Sequence, residues 1–244
     1  MRRQYPPKQH FELQATSATT TSKSTKTASR SKASNSKSTA QPTAFSRSKL
    51  SPEDVDRVAS LMQAKYGWES RPREFQINGV IAQLEGVDMV IQAPTRSGKT
   101  AVIAGPHVWP ACQGMVTIVS VPIIALGEEM VQTFATNFGL KVVAINSKNG
   151  ALSLKVREDI LAGRYSIVIA SPEMLQSQSF VKHILRNTAF SRKILSIVVD
   201  EAHYVSHWGA SFRKKYGQLG TIRAYPPPRT PVITLTATLT ARVR

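Results

Sequence analysis

The chain has 244 residues, 41% of them hydrophobic, and a formal net charge of +17, which leaves room for one large domain or a domain with a tail. No stretch reaches the roughly 18 consecutive apolar residues of a membrane span, and no secretory hydrophobic region follows the basic start. The single Cys112 excludes an internal disulfide and a cysteine-built zinc site, so a reducing compartment and oxygen-held metal are expected, with the thiol read as a small buried apolar group.

The charge is uneven. Residues 1–50 carry ten Lys/Arg against the single Glu12, a net of +9, and the remainder carries +8. Such a chain favours polyanionic partners, chiefly nucleic acid. Residues 14–49 are rich in Ser, Thr and Lys with few large apolar side chains. They bury too little surface to offset chain entropy, so residues 1–50 are expected to form a disordered basic tail ahead of a domain over 51–244. The tail is acid-poor and hydroxyl-rich like some organellar transit peptides, yet Lys outnumbers Arg and no amphipathic stripe is visible. A nucleic-acid-binding or nuclear-targeting arm is the favoured reading, with the nucleus as the expected location.

Ser51-Pro52-Glu53-Asp54 is a helix start: a capping serine, proline at the first helical position and an acid three residues after the cap. Val55, Val58, Leu61 and Met62 then supply one apolar face. A second helix is predicted over 73–84. Beyond it, apolar β-rich runs at 87–92, 115–121, 141–145, 166–170, 194–199 and 232–236 alternate with helical patterns after residue 100 and over 123–137, 152–162 and 178–186. Continuous runs such as Ile197-Val198-Val199 suit strands covered on both faces. The alternation predicts right-handed βαβ units in a three-layer α/β domain with a mainly parallel central sheet.

Two segments carry the chemistry. Ala93-Pro94-Thr95-Arg96-Ser97-Gly98-Lys99-Thr100 follows one apolar run, at a strand-to-helix junction where backbone amides can cradle phosphates. Lys99 would neutralise β/γ oxygens and the Thr100 hydroxyl would ligate Mg²⁺. Asp200-Glu201-Ala202-His203 follows another run, at the strand end where open α/β sheets bind ligands. Asp200 would hold Mg²⁺, usually through water, and Glu201 would orient and activate the water that attacks the γ-phosphate. ATP and Mg²⁺ are thus the expected ligands, with Lys99, Asp200 and Glu201 as the catalytic set.

With these segments in place, the chain resembles superfamily 2 helicases, and within them the RecQ family. Tyr204-Val205-Ser206-His207-Trp208-Gly209-Ala210-Ser211-Phe212-Arg213-Lys214-Lys215-Tyr216 is similar to the aromatic-rich loop that RecQ enzymes carry directly after the acidic box, a pattern DEAD-box RNA helicases lack. Trp208 and Phe212 offer faces to unstacked bases, each worth roughly 1–3 kcal/mol, and Arg213 would contact phosphate or sense the nucleotide state. Arg73-Glu74-Phe75-Gln76 resembles the family's adenine-reading segment, with Gln76 on the base edge and either Tyr66 or Trp68 as the stacking aromatic. Ser120-Val121-Pro122 and Ser171-Pro172-Glu173 look like strand-end contacts to the DNA backbone. Thr236-Ala237-Thr238 resembles the motif that, with His203, links hydrolysis to strand movement.

The resemblance runs from about Tyr66 to Thr240 and implies a RecA-like ATP-binding motor domain of a 3′-to-5′ DNA helicase acting on single-stranded or branched DNA. It has departures. Arg96 stands where the family generally has glycine, and His207, Ala210 and Ser211 replace the more usual Gln, His and Asp. The family's second RecA-like domain, with its arginine finger, does not precede Arg244, so it is expected to be supplied elsewhere. The competing readings are a non-catalytic ATP- and DNA-binding module, and an RNA helicase or other P-loop NTPase.

Overall fold

A computed structural model describes residues 45–146, 152–203 and 218–238. Helix α1 (Pro52–Tyr66) is capped by Ser51, whose hydroxyl accepts from Asp54 N, and closes on Gly67 in a left-handed conformation. Helix α2 (Glu74–Glu85) starts where the Gln76 side chain reaches back to the cap, its Oε1 accepting from Arg73 N at 2.8 Å. It ends at Gly86 (φ 75°), where an added Cβ would lie 2.6 Å from Arg229 O. Only glycine fits both that backbone angle and that approach.

The remaining elements alternate. Strand β1 (Met89–Gln92) leads to α3 (Thr100–Ala104), β2 (Val116–Ser120), α4 (Ile124–Phe138), β3 (Val142–Ile145), α5 (Leu154–Leu161), β4 (Ile167–Ala170), three short helices α6 (Pro172–Leu175), α7 (Gln178–Phe180) and α8 (Thr188–Ser191), β5 (Ile194–Val199) and β6 (Val232–Thr236). The six strands form one sheet in the order β1-β6-β5-β2-β4-β3, parallel at every described pairing.

Alternation within single strands shows why the domain has three layers. On β2, Val119 belongs to the core with α3 and α4, while its neighbour Ile118 belongs to the core with α6, α7 and α8. Strand β4 divides likewise, Ile167 and Ile169 on one face and Val168 and Ala170 on the other. Both faces therefore need helical cover. Phe134 fills one layer and Phe180 and Phe190 the other, all fully buried.

Every predicted strand is present, two with the expected bounds and the others trimmed by one or two residues at one or both ends. The helices depart more. The α-helix after the phosphate loop stops at Ala104 and tightens into a 3₁₀ turn over Gly105–Val108 with Pro106 inside it, because proline has no N–H to give the carbonyl four residues back. The stretch expected as a helix over 178–186 widens into a π turn over Val181–Leu185, with Arg186 N bonded to Val181 O at 3.0 Å. On α1 the fully buried positions are Val58, Ala59 and Met62, with Val55 and Leu61 only partly covered.

Packing begins upstream of residue 51. Phe45 and Leu50 lie against a third core of Val58, Met62, Val80, Leu84, Cys112 and Leu195. Arg47 donates to the carbonyls of Gln83 and Leu195, both at 2.5 Å, and burial lowers its pKa to about 10. The fully buried Gln83 side chain ties three elements together. Its Nε2 donates to Gly79 O (3.0 Å) and Val102 O (2.7 Å), and its Oε1 accepts from Ser196 Oγ (2.7 Å). Ser196 continues to Thr117 Oγ1 at 3.4 Å and on to His107 Nε2 at 3.0 Å. Cys112 is buried, as expected of a lone thiol, and burial pushes its pKa up to about 12.

Two measurements follow from this buried chain. Gln83→Met is expected to lower stability by about 2 kcal/mol, since the Val102 carbonyl and Ser196 hydroxyl lose their partners; chemical denaturation would read it as a lower midpoint at unchanged slope. Burial also pushes the His107 pKa down from 6.5 to about 4. The unfolded chain then takes up this proton first, so stability is full above pH 6.5 and falls as pH drops toward 4. The loss is at most about 3 kcal/mol, reduced because His107 is only partly buried. Denaturation between pH 4 and 7 should show this acid limb, and His107→Gln should flatten it.

Candidate functional site

The phosphate loop leaves β1 held to the end of β6. Ala93 N donates to Thr236 O at 3.0 Å, and the register pairs Gln92 with Thr236. Pro94, Thr95 and Arg96 are exposed on the outer limb of the loop. Arg96 has φ 62° and Gly98 φ 87°. The left-handed angle that glycine adopts freely costs a residue with a Cβ about 1 kcal/mol. At Gly98 a side chain would carry the same strain and would also push aside the Gln76 amide, whose Nε2 would lie 2.7 Å from an added Cβ.

Helix α2 braces this loop from the side. Gln76 Nε2 donates to Gly98 O at 3.0 Å, and Arg73 Nη1 donates to Ser97 O at 3.2 Å. Lys99 turns its ammonium into the loop, donating to Ala93 O (3.0 Å) and Pro94 O (3.3 Å). Thr100 opens α3, whose five α-helical residues give only a modest macrodipole. The cradle therefore depends on loop amides and Lys99. Among the described residues the buried Ser97 hydroxyl has no hydrogen-bond partner, the kind of orphan that an ordered water or a bound group usually satisfies.

The acidic box sits at the end of β5. Asp200 N donates to Ser120 O at 3.0 Å, and its carboxylate accepts from Glu201 N at 2.9 Å. Asp200 is buried, and burial pushes its pKa up to about 6 against the opposing pull of that hydrogen bond and of the Lys99 ammonium. Lys99 and Asp200 are thus electrostatic neighbours across the sheet edge. Glu201 has φ 49°, and Ala202 N donates to Leu235 O at 2.9 Å, which fixes the box against β6.

One imidazole joins the box to the segment after β6. His203 Nδ1 lies 3.1 Å from Glu201 Oε2 and 3.4 Å from Thr236 Oγ1. Thr236 gives its hydroxyl proton to Thr238 O at 2.7 Å, so toward His203 it acts as acceptor and Nδ1 as donor. Glu201, His203, Thr236 and Thr238 therefore form one hydrogen-bonded group. Thr95, Ile123, Glu201, His203 and Thr238 line a cleft of about 550 Å³ beside it.

A second cleft, about 300 Å³, runs along the other flank of the loop between Trp68, Arg73, Gln76, Gly98 and Thr100. Of the two aromatics left open by the sequence, only Trp68 lines it. Tyr66 is committed to the core, its hydroxyl donating to Ala104 O at 2.9 Å and its ring packed edge-on to Phe138 at 4.8 Å. Arg71 also lines this cleft and pairs with Asp56 at 2.5 Å. Nothing in the residues around Arg71 signals that role beyond its place just before Pro72. Ser120 and Ser171 lie at the same edge of the sheet, Ser171 capping α6. Trp208, Phe212 and Arg213 lie outside the described residues.

The residues present fit Mg-ATP. Among the described residues no three His, Cys, Asp or Glu side chains gather into a closed metal cage. Mg²⁺ is commonly held by one or two carboxylates together with substrate phosphates and water, for which Thr100 and Asp200 are available. No described helix is long and apolar enough to cross a membrane.

The DEAD/DEAH box helicase family profile matches residues 73–244. The chain is 35% identical over 196 residues to ATP-dependent DNA helicase Q5 of Rattus norvegicus, covering 77% of this chain and 19% of that protein. It is 31% identical to ATP-dependent DNA helicase RecQ of Haemophilus influenzae (73% and 27% covered) and 33% identical to ATP-dependent helicase SGS1 of Saccharomyces cerevisiae (70% and 12%). It thus spans between 12% and 27% of these relatives. In solved structures the fold is shared with DUF1998 helicase MrfA bound to DNA, at TM-score 0.57 and 21% identity over 81% of this chain and 28% of that one. It is shared also with a hypothetical ATP-dependent RNA helicase from Sulfolobus tokodaii, at TM-score 0.51 and 22% identity over 80% and 53%. With phosphate loop, acidic box and β6 all inside the matched span, the chain belongs to the DEAD/DEAH box helicase family, on its RecQ-like side.

Proposed function

We propose that this chain is the ATP-binding motor domain of a RecQ-type 3′-to-5′ DNA helicase, binding Mg-ATP and single-stranded or branched DNA. The observation that carries the reading is the meeting of Lys99, Asp200 and the Glu201–His203–Thr236 group at one edge of the sheet. The relatives' names, ATP-dependent DNA helicases, support the substrate class.

Bound Mg-ATP supplies a transferable γ-phosphoryl group and a cation that neutralises its charge. The chain's own residues do the rest. Lys99 exchanges its two loop carbonyls for phosphate oxygens, and the amides and hydroxyls of Thr95, Ser97, Gly98 and Thr100 hold the polyphosphate. Pro94 keeps the outer limb of the loop extended. Asp200 and Thr100 hold the cation. Glu201 accepts a proton from water, and His203 keeps that carboxylate oriented. Because His203 also reaches Thr236, a change at Glu201 is felt at Thr238. Gln76 and Arg73 read the base end, with Trp68 as the stacking face. Trp208, Phe212 and Arg213 engage the unstacked DNA strand. A second RecA-like domain supplies the arginine finger, and the basic tail directs the protein to the nucleus.

The alternative of a non-catalytic ATP- and DNA-binding module is favoured by one observation, the arginine held at φ 62° in the phosphate loop. ATP turnover with and without single-stranded DNA separates the two readings. DNA-stimulated turnover that Lys99→Ala abolishes, and that Glu201→Gln reduces at least about 100-fold while keeping ATP bound, supports the motor. Binding without turnover leaves the module. For the base end, Trp68→Ala is expected to weaken ATP binding about tenfold by loss of stacking, with Tyr66→Phe close to wild type in nucleotide titrations.

A further inference from the structure

Resting on the nucleotide-binding reading above, we infer that Arg96 is a polyphosphate-binding residue, a guanidinium carried on the phosphate loop itself that ties nucleotide affinity to phosphate charge.

Three observations converge on it. The first is conformational. Arg96 holds φ 62°, an angle glycine would adopt without strain. The turn is imposed from outside by the bonds from Arg73 to Ser97 O and from Gln76 to Gly98 O. The loop is thus held by contacts that do not involve the residue at 96, and a side chain there brings strain that something else must offset.

The second is electrostatic. The cleft beside the loop is lined by Arg71, Arg73 and Arg96 and by no carboxylate. Arg71 is paired with Asp56, and Arg73 donates to Ser97 O. Arg96 makes no hydrogen bond or ion pair among the described residues, and it is exposed. It is the uncommitted charge of the three.

The third is the ligand chemistry of its neighbourhood. Arg96 adjoins the unpartnered Ser97 hydroxyl and shares the cleft wall with Gly98 and Thr100. A guanidinium presents five donors in a planar fork that matches phosphate oxygens two at a time. A nucleoside di- or triphosphate seated on the loop brings that partner within reach, and a nucleoside without phosphates does not.

The test is titration of the full 244-residue chain with Mg-ATP, Mg-ADP and adenosine, for wild type, Arg96→Gly, Arg96→Gln, Arg96→Lys and Lys99→Ala. Arg96→Gly and Arg96→Gln are expected to weaken ATP and ADP about tenfold, Arg96→Lys to recover part of the loss, and adenosine to bind all alike. Ligand-free Arg96→Gly should melt no lower than wild type, because the strain is gone. If Arg96→Gly binds ATP as tightly as wild type while Lys99→Ala does not, the arginine is merely tolerated and the inference is wrong. If wild type and Lys99→Ala are equally unable to bind ATP, the nucleotide reading itself fails and takes this inference with it.

Discussion

The pairing of β1 with β6 is the constraint on which the site depends. It sets Gln92 beside Thr236, so the phosphate loop and the segment following β6 leave the sheet as neighbours. Asp88 secures the other end of the pair, accepting from Val232 N at 2.9 Å and forming an ion pair with Arg223. A shift by one residue would turn Ile91 out of the core and Gln92 into it. The same shift would separate Ala93 from Thr236. Because all six strands run parallel, the loops that follow them fall at one edge, and chemistry scattered from Ala93 to Thr238 becomes a single surface.

At that surface the charges are arranged in compensation. Burial and the Glu201 charge raise the Asp200 pKa, and the Glu201 amide and the Lys99 ammonium pull it the other way. Lys99 is meanwhile satisfied by two carbonyls of its own loop. Those carbonyls are partners that ligand oxygens can replace. His203 serves the outer half of the site by holding Glu201 and Thr236 through one ring nitrogen.

Much of this was legible in the sequence, and particular residues show why. The strands could be read because a sheet buried on both faces demands unbroken Ile/Val runs, and Ile194–Val199 is one. The phosphate loop and acidic box could be read because their chemistry needs adjacent residues. Arg96 could be flagged, since its φ follows from the loop shape that a glycine normally serves. Arg47 could not. A single arginine in a polar stretch looks like tail, and only the carbonyls of Gln83 and Leu195, distant in sequence, make it part of the core. Gln83 was hidden for the same reason, as a polar position on a helix whose partners lie on other elements. The choice between Tyr66 and Trp68 turned on which ring found a buried acceptor, a tertiary fact.

The sheet order also bears on how the chain becomes functional during synthesis. Among the described strands β1 is an edge strand, and its one neighbour is β6, the last to be made. Strands β2 to β5 can associate early, since each finds a partner among the others. The phosphate loop cannot. Its host strand has to wait for the most distant pairing in the domain, whose long loop closure is entropically slow to form. On the ribosome, a nascent chain lacking Val232–Thr236 already carries every residue of the loop, yet it has no second strand to hold that loop in shape.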